Sequence, residues 1–209
     1  MKDALPQAVH QRIAEFLAQG QRRMVGIVAE PGAGKSTLAA AIVAEFGAAV
    51  QVLPMDGFHL ANCELQRLGR ASRKGAPDTF DAAGFVNLLR RLKTQAPDEV
   101  VYAPDFKREI EEAIAGAIAI AASTPLIVVE GNYLLLDDAP WLQVREIVDE
   151  VWYLDVNPAV RHARLQARHI RHGRTQQEAQ DWIANTDEPN ARRIALTRMH
   201  ANHCLHVPG

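Results

Sequence analysis

Residues 24–43 read MVGIVAEPGAGKSTLAAAIV, in which an apolar run gives way to a Gly/Pro-rich turn and then to a pattern with helical spacing. This order predicts a buried strand, a loop and a helix. The turn fits the phosphate-binding pattern G-x-x-x-x-G-K-[ST], except that Ala29 occupies the position of the first glycine. An ordinary glycine-rich turn is the alternative. Because the flanking strand and helix supply the context that the motif requires, we expect this loop to bind a nucleotide.

Each position of this loop has a physical role in holding a triphosphate. Gly32 and Gly34 let backbone N–H groups converge on an anion, and the helix beginning near Lys35 directs its positive dipole end toward it. We expect Lys35 to reach the β- and γ-phosphates of ATP and the Ser36 hydroxyl to bind Mg²⁺. The predicted ATP-binding residues are Glu30, Pro31, Gly32, Ala33, Gly34, Lys35, Ser36 and Thr37.

The bulk properties of the chain restrict its function. A length of 209 residues suits a single domain over 1–209, and a net charge of −2 provides no basic field for nucleic acid or an anionic membrane. No apolar run approaches the length of a membrane span. Cys63 and Cys204 lie far apart without C-x-x-C spacing, which argues against a disulfide framework and a zinc site, so we expect a reducing, cytoplasmic setting.

Alternating strand and helix patterns predict the α/β class, with a doubly wound, mostly parallel, five-stranded sheet. Besides the strand before the phosphate loop, clear strands are expected at 50–54, 126–131, 148–156 and 204–207. Helices are expected at 6–19, at 35–46, after Asp81, which can cap that helix, and from 158 to about 200 with breaks at Gly173 and Pro189. Residues 57–81 show little periodicity, and residues 109–122 favour a helix that gives way to a short strand.

Two acidic residues follow buried strands. Asp56 lies beyond the strand at 50–54, and Glu130 ends the strand that begins near Leu126. In open parallel sheets ligands bind beyond the carboxyl ends of the strands, so both carboxylates are expected to face the phosphate loop. Glu130 suits Mg²⁺, and Asp56 suits a general base that accepts a hydroxyl proton. Acids that merely cap turns are the alternative.

A basic helix is expected from residue 158. Its arginines recur at spacings that place them along one side of the helix. Arg164 and Arg168 are the predicted catalytic pair, because their guanidinium groups can stabilise the negative charge of a phosphoryl group during transfer. A solvated basic face is the alternative. His162, His169 and His172 lie among these arginines and are expected to be exposed, because neighbouring cations oppose a metal. The arginines in question are Arg161, Arg164, Arg168, Arg171 and Arg174.

Several motifs together resemble the phosphoribulokinase/uridine kinase family of P-loop kinases. After the phosphate loop come Asp56-Gly57-Phe58, Lys74-Gly75-Ala76-Pro77-Asp78-Thr79-Phe80-Asp81, Val129-Glu130-Gly131-Asn132-Tyr133-Leu134-Leu135 and the arginine helix, in that order. The first of these also resembles bacterial pantothenate kinase. The correspondence runs from about Met24 to Arg174 and is more specific than any single motif.

The resemblance implies a fold of the P-loop kinase type and ATP-dependent phosphorylation of a small-molecule hydroxyl. It implies Asp56 as base, an acceptor-binding insertion at 57–125, and a mobile lid at 158–186 that carries Arg164 and Arg168. The residues that it places at the substrate are Asp56, His59, Lys74, Asp81, Tyr102 and Arg108.

The acceptor is less well defined. His59 and the segment from Tyr102 to Arg108 depart from the uridine and pantothenate patterns, and the chain is similar to a bacterial branch labelled as fructose-transport-associated kinases, so a fructose-type sugar is a first guess. A nucleoside monophosphate kinase, with a cationic site among Arg67, Arg70, Arg73 and Lys74, and a nucleotide-binding regulatory module are the alternatives. The expected partner is a small-molecule alcohol, with a homodimer left open. Asn190 either meets the nucleotide base or only begins a helix.

Overall fold

A computed structural model describes residues 5–206 and shows a parallel sheet with helices on both faces. The strands are β1 (Arg23–Val28), β2 (Val50–Pro54), β3 (Val100–Lys107), β4 (Glu112–Ala121), β5 (Leu126–Glu130), β6 (Glu150–Asp155) and β7 (His203–His206). The helices are α1 (Gln7–Ala18), α2 (Lys35–Phe46), α3 (Asn62–Arg67), α4 (Ala82–Lys93), α5 (Val144–Ile147), α6 (Pro158–Arg171), α7 (Gln176–Trp182) and α8 (Glu188–Ala195). Val207, which the sequence pattern assigns to the last strand, lies outside the described residues.

Five strands form the main sheet in the order β2-β5-β1-β6-β7, and every neighbouring pair is parallel. This arrangement confirms the prediction of an α/β fold with a five-stranded parallel sheet. In register, Glu130 of β5 lies between Ile27 of β1 and Pro54 of β2. The carboxyl ends of these three strands therefore meet at one edge, where the sequence places the phosphate loop, Asp56 and Glu130.

The apolar side chains form a core on each face of the sheet. On one face, Ile13 of α1 and Ile42 of α2 pack with alternate residues of the central strands. On the other, Phe85 and Leu89 of α4 pack with Trp141 and the opposite set of strand residues. All five residues of β5 are buried, as expected for a parallel strand covered on both sides. No helix within 5–206 is long and apolar enough to cross a bilayer.

The expectation of a helix within residues 109–122 is wrong. Strands β3 and β4 form an antiparallel hairpin outside the main sheet, with Val101 opposite Ile120 and Ala103 opposite Ile118. Alternate isoleucines fit a strand as well as a helix, and β-branched side chains favour the strand. Gly116 adopts a φ of +68°, which is outside the helical region. Pairing with β3 decides between the two patterns, and the isolated segment does not contain that information.

The sequence pattern predicts breaks at Gly173 and Pro189 in the helical region after residue 158, and the structure has only the first of them. Gly173 follows α6 with a φ of +92°, and the expected break is present. Pro189 lies in the first turn of α8 and does not break the helix. A π-helical turn at Ile183–Asp187 joins α7 to α8 instead. The helical backbone therefore continues from Gln176 to Ala195.

Candidate active site

The phosphate loop occupies residues 29–34 between β1 and α2. Gly32 and Gly34 have φ values of +82° and +97°, which glycine adopts without strain. Gly34 immediately precedes α2, so the first N–H groups of that helix point into the loop. Ala29 is fully buried against the core, which shows that a methyl group fits at the position where the motif usually has glycine.

Lys35 lies inside this loop. Its side chain is buried, and its Nζ donates hydrogen bonds to the carbonyl oxygens of Ala29 at 3.1 Å and Glu30 at 3.4 Å. Burial lowers the pKa of Lys35, while the charges of Glu130 and Asp56 oppose that shift. The ammonium is thus surrounded by the loop that would hold a phosphate, and the two acids stabilise its charged form.

Glu130 and Ser36 supply oxygen atoms beside the loop. The Ser36 hydroxyl donates to Oε1 of Glu130 at 3.0 Å, and burial together with the charge of Asp56 raises the pKa of the Glu130 carboxyl group. No cluster of three or more His, Cys, Asp or Glu residues able to hold a metal occurs in the described part of the chain. One hydroxyl and one carboxylate fit Mg²⁺ bound together with nucleotide phosphates, which is the usual manner for this ion.

Asp56 lies in the short turn Met55–Phe58 that follows β2. Its carboxylate accepts a hydrogen bond from Arg108 at 3.1 Å, and its carbonyl oxygen accepts one from Nδ1 of His59 at 2.8 Å. The next residue, Gly57, lies against β3, because a Cβ atom there would stand 2.3 Å from the carbonyl oxygen of Pro104. The hairpin thereby brings Arg108 to the Asp56 carboxylate.

Most of the predicted site residues meet in one cavity of about 420 Å³. It extends from the phosphate loop to the β3–β4 hairpin and the last helices. Asn190 also lines it while lying in the first turn of α8, so the two interpretations of that residue are compatible. The predicted residues that line the cavity are Pro31, Lys35, Ser36, Asp56, His59, Lys74, Arg108, Glu130 and Arg168.

Two predicted substrate residues lie elsewhere. The Asp81 side chain accepts a hydrogen bond from the backbone N–H of Gly84 at 2.8 Å and caps α4. The Tyr102 side chain is 59% exposed and does not line the cavity. The structure therefore does not bring Asp81 or Tyr102 to the cavity with Asp56. Alternation along β3 accounts for Tyr102, since its neighbours Val101 and Ala103 point into the core.

The arginines of α6 divide into distinct roles. Arg168 lines the cavity, its guanidinium has no hydrogen-bond partner among residues 5–206, and burial, followed by the charge of Arg108, lowers its pKa. Arg164 is exposed and donates to the carbonyl oxygen of Ala33 at 3.4 Å. Arg161 is buried, forms an ion pair with Glu188, and donates to the carbonyl oxygen of Pro31 at 3.3 Å. Arg161 thus holds α6 against the phosphate loop.

The sequence interpretation missed a buried polar chain beside the cavity. Arg174 donates to Nδ1 of His169 at 2.6 Å, and Nε2 of His169 donates to Asp187 at 2.7 Å. The guanidinium of Arg174 also lies 4.0 Å from the ring centre of Trp182. His169 is buried, so the expectation that it is exposed is wrong. Its burial depends on α7 and the π-helical turn packing over α6, which helical spacing does not predict.

The comparisons with known proteins agree on the family. The model of the phosphoribulokinase/uridine kinase family matches residues 24–202. The candidate uridine kinase C227.14 of Schizosaccharomyces pombe is 36% identical over 205 residues, which are 93% of this chain and 85% of that protein. The uncharacterized protein YggC of Escherichia coli is 35% identical over 207 residues, which are 93% of this chain and 84% of that protein.

A solved structure is also similar along nearly the whole chain. It comes from Silicibacter sp. TM1040 and is described as a candidate fructose transport system kinase. It superposes with a TM-score of 0.83 at 40% identity and covers 95% of this chain and 97% of its own. The resemblance that the motifs indicated is confirmed by these matches. The chain belongs to the phosphoribulokinase/uridine kinase family of P-loop kinases.

Proposed function

We propose that this protein transfers the γ-phosphoryl group of ATP to a hydroxyl group of a small molecule. The observation that carries the proposal is the position of Asp56, whose carboxylate lines the same cavity as Lys35 and Glu130 and is held by Arg108 at 3.1 Å. A protein that only binds and releases nucleotide needs the phosphate loop. It does not need a carboxylate positioned for a second substrate.

The phosphate loop supplies the nucleotide half of the site. Its N–H groups and Lys35 bind the β- and γ-phosphates, and the dipole of α2 adds to their positive potential. Ser36 and Glu130 would hold Mg²⁺, which when bound supplies positive charge to the phosphate oxygens. A compensating cation at this point also favours the ionised form of the buried Glu130 carboxyl group.

Asp56 and Arg168 act on the transfer itself. The Asp56 carboxylate orients the acceptor hydroxyl and accepts its proton as the new bond to phosphorus forms. Arg168 lines the same cavity from α6, and its guanidinium stabilises the negative charge on the oxygens of the phosphoryl group during transfer. Arg161 does not line the cavity and acts by holding α6 against the loop through the Pro31 carbonyl oxygen and Glu188.

The two alternative functions find less support in the cavity. A nucleoside monophosphate kinase needs several cations around the phosphate that accepts the transfer, but Arg67 pairs with Glu64, Arg70 and Arg73 both pair with Asp78, and Lys74 alone of these four lines the cavity. A regulatory module leaves the Asp56–Arg108 pair without a purpose. The related structure described as a candidate fructose transport system kinase supports a sugar as the first acceptor to test.

The test combines a substrate screen with one substitution. ATP consumption is measured with ribose, fructose, ribulose 5-phosphate, uridine, cytidine and pantothenate. Asp56→Asn retains the shape of the side chain and removes the base, so transfer should fall by about 10²–10⁴-fold. ATP should still bind, because the phosphate loop is unchanged.

Asp98→Asn is the matched control, since Asp98 is exposed and does not line the cavity. It should leave transfer unchanged. Near-normal turnover of Asp56→Asn would show that Asp56 only caps a turn. Loss of ATP affinity in a folded Asp56→Asn protein would instead assign Asp56 to the metal.

A further inference from the structure

Lys74 has an unusual environment for a cation in this cavity. Its ammonium is half-buried and donates to two neutral oxygens, Oδ1 of Asn62 at 2.6 Å and the carbonyl oxygen of Glu111. An ammonium has three N–H donors, and the third has no partner in the described part of the chain. No described carboxylate forms an ion pair with it. Lys74 therefore presents positive charge to the cavity that it lines.

The nearby acidic groups do not remove this charge. Glu112 uses its carboxylate to accept the backbone N–H of Asn62, at 3.0 and 3.3 Å. Glu111 contacts Lys74 through its carbonyl oxygen. Burial lowers the pKa of Lys74 and the charges of Glu111 and Glu112 only oppose this, so both acids act as distant charges. A half-buried ammonium whose hydrogen-bond partners are neutral binds an anion with a more favourable free energy than a solvent-exposed lysine does.

The other cations of the same segment, Arg67, Arg70 and Arg73, are all paired with carboxylates. Arg67 forms an ion pair with Glu64 at 2.6 Å, and Arg73 forms one with Asp78. None of these five residues lines the cavity. Among the cations between residues 62 and 81, only Lys74 lines the cavity.

Phe106 separates Lys74 from the catalytic carboxylate. The Nζ of Lys74 lies 5.2 Å from the centre of the Phe106 ring, and the guanidinium carbon of Arg108 lies 5.8 Å from it. Arg108 is bound to Asp56, whereas Lys74 is not. Three groups therefore follow one another along the cavity wall. The Asp56 carboxylate can accept a hydrogen bond from a hydroxyl group, the Phe106 ring can pack against a carbon chain, and the Lys74 ammonium can bind an anion.

We infer that the acceptor carries an anionic group, a phosphate monoester or a carboxylate, which Lys74 binds while a separate hydroxyl lies at Asp56. This inference rests on the proposed function. A second anchor fixes the orientation of a flexible acceptor and so selects which hydroxyl is phosphorylated. The anion at Lys74 is not the phosphoryl acceptor, which distinguishes this arrangement from a nucleoside monophosphate kinase.

The first experiment compares neutral and anionic acceptors in matched pairs. Fructose is compared with fructose 6-phosphate, and glycerol with glycerate, by ATP consumption and by detection of the phosphorylated product. We expect the anionic member of at least one pair to have the higher kcat/KM. A preference for fructose 6-phosphate identifies a phosphate monoester, and a preference for glycerate identifies a carboxylate. Turnover with neutral members alone would overturn the inference and leave the proposed function intact.

The second experiment removes the charge. Lys74→Met keeps the length of the side chain, and we expect it to raise KM for the anionic acceptor by about 10–100-fold, which corresponds to the loss of one hydrogen bond to a charged group. The KM for ATP should stay unchanged, and Lys74→Arg should restore most of the affinity. Lys93→Met is the control, because Lys93 also donates to a backbone carbonyl, that of Ile147, away from the cavity.

Binding of small anions tests the subsite apart from turnover. The phosphate loop is first saturated with a non-hydrolysable ATP analogue and Mg²⁺, and thermal stabilisation by inorganic phosphate and by glycerate is then measured. Stabilisation should occur in the wild type and in Lys93→Met and be lost in Lys74→Met. Equal responses in the wild type and Lys74→Met, or no response in either, would overturn the inference. Failure of the proposed function would appear differently, as the absence of phosphoryl transfer to every acceptor.

Discussion

Replacing Gly32 with alanine tests how closely α6 lies on the phosphate loop. A Cβ atom at this position would stand 2.7 Å from Cγ of Leu165 and 2.8 Å from the carbonyl oxygen of Arg161. Leu165 can change its rotamer, but the Arg161 carbonyl belongs to the helix backbone, so α6 as a whole has to move. Gly32 also has a φ of +82°, which alanine adopts only with strain.

The two costs can be separated because the chain contains a matched glycine. Gly20 has a φ of +67°, and a Cβ atom there would meet nothing within 4 Å. Gly20→Ala should therefore lower the free energy of unfolding by about 1–2 kcal/mol, the cost of the left-handed conformation alone. Gly32→Ala adds overpacking of about 1–3 kcal/mol, for a total loss of about 2–5 kcal/mol.

Denaturation with urea measures both variants on one scale, and the difference between their unfolding free energies reports the contact with α6. Nucleotide titration is the second readout, since displaced N–H groups should weaken ATP binding in Gly32→Ala and leave it unchanged in Gly20→Ala. Equal destabilisation of the two variants, together with unchanged ATP affinity, would refute the close contact between Gly32 and α6.

Two further substitutions test the site. Arg168→Met should lower kcat more than it raises KM for ATP, because the guanidinium is expected to act in the transition state, while Arg171→Met, at an exposed position on the same helix, should change neither parameter. Steady-state kinetics decide this, and equal behaviour of the two variants would make Arg168 a surface residue. Burial lowers the pKa of His59 below its ordinary 6.5, so its contribution to stability is complete above pH 6.5 and is lost as the pH falls below that value. His59→Asn keeps a donor for the Asp56 carbonyl oxygen, and the stability advantage of the wild type should shrink between pH 7.5 and 5 in denaturant titrations; a constant difference would contradict the shift.

The sequence was sufficient for the parts of the structure that depend on local pattern. The phosphate loop, β5 and the positions of Asp56 and Glu130 follow from short motifs and from the rule that parallel strands end at one edge. Lys35 and Ser36 are placed by the same loop. In each of these cases the residues that decide the geometry are close together in the chain.

Tertiary contacts decided the features that the sequence did not predict. Residues 112–121 carry a pattern with two interpretations, and the partner strand β3 selects one of them. Arg161, Arg164 and Arg168 share a spacing on α6, yet only Arg161 is buried, because Glu188 and the Pro31 carbonyl oxygen lie opposite it.

The close approach of Gly57 to Pro104 restricts how the β3–β4 hairpin can vary among relatives of this protein. The β3–β4 hairpin lies outside the main sheet, but its residues Val101, Ala103 and Ile120 are buried in the same core as residues of β1 and β5. Any replacement hairpin must still bring its backbone against residue 57, where even a methyl group would stand 2.3 Å from a carbonyl oxygen. This contact is therefore one fixed point at which the hairpin meets the turn that carries Asp56. Chimeras between relatives should therefore be joined so that the Asp56-Gly57 turn and residue 104 come from the same parent.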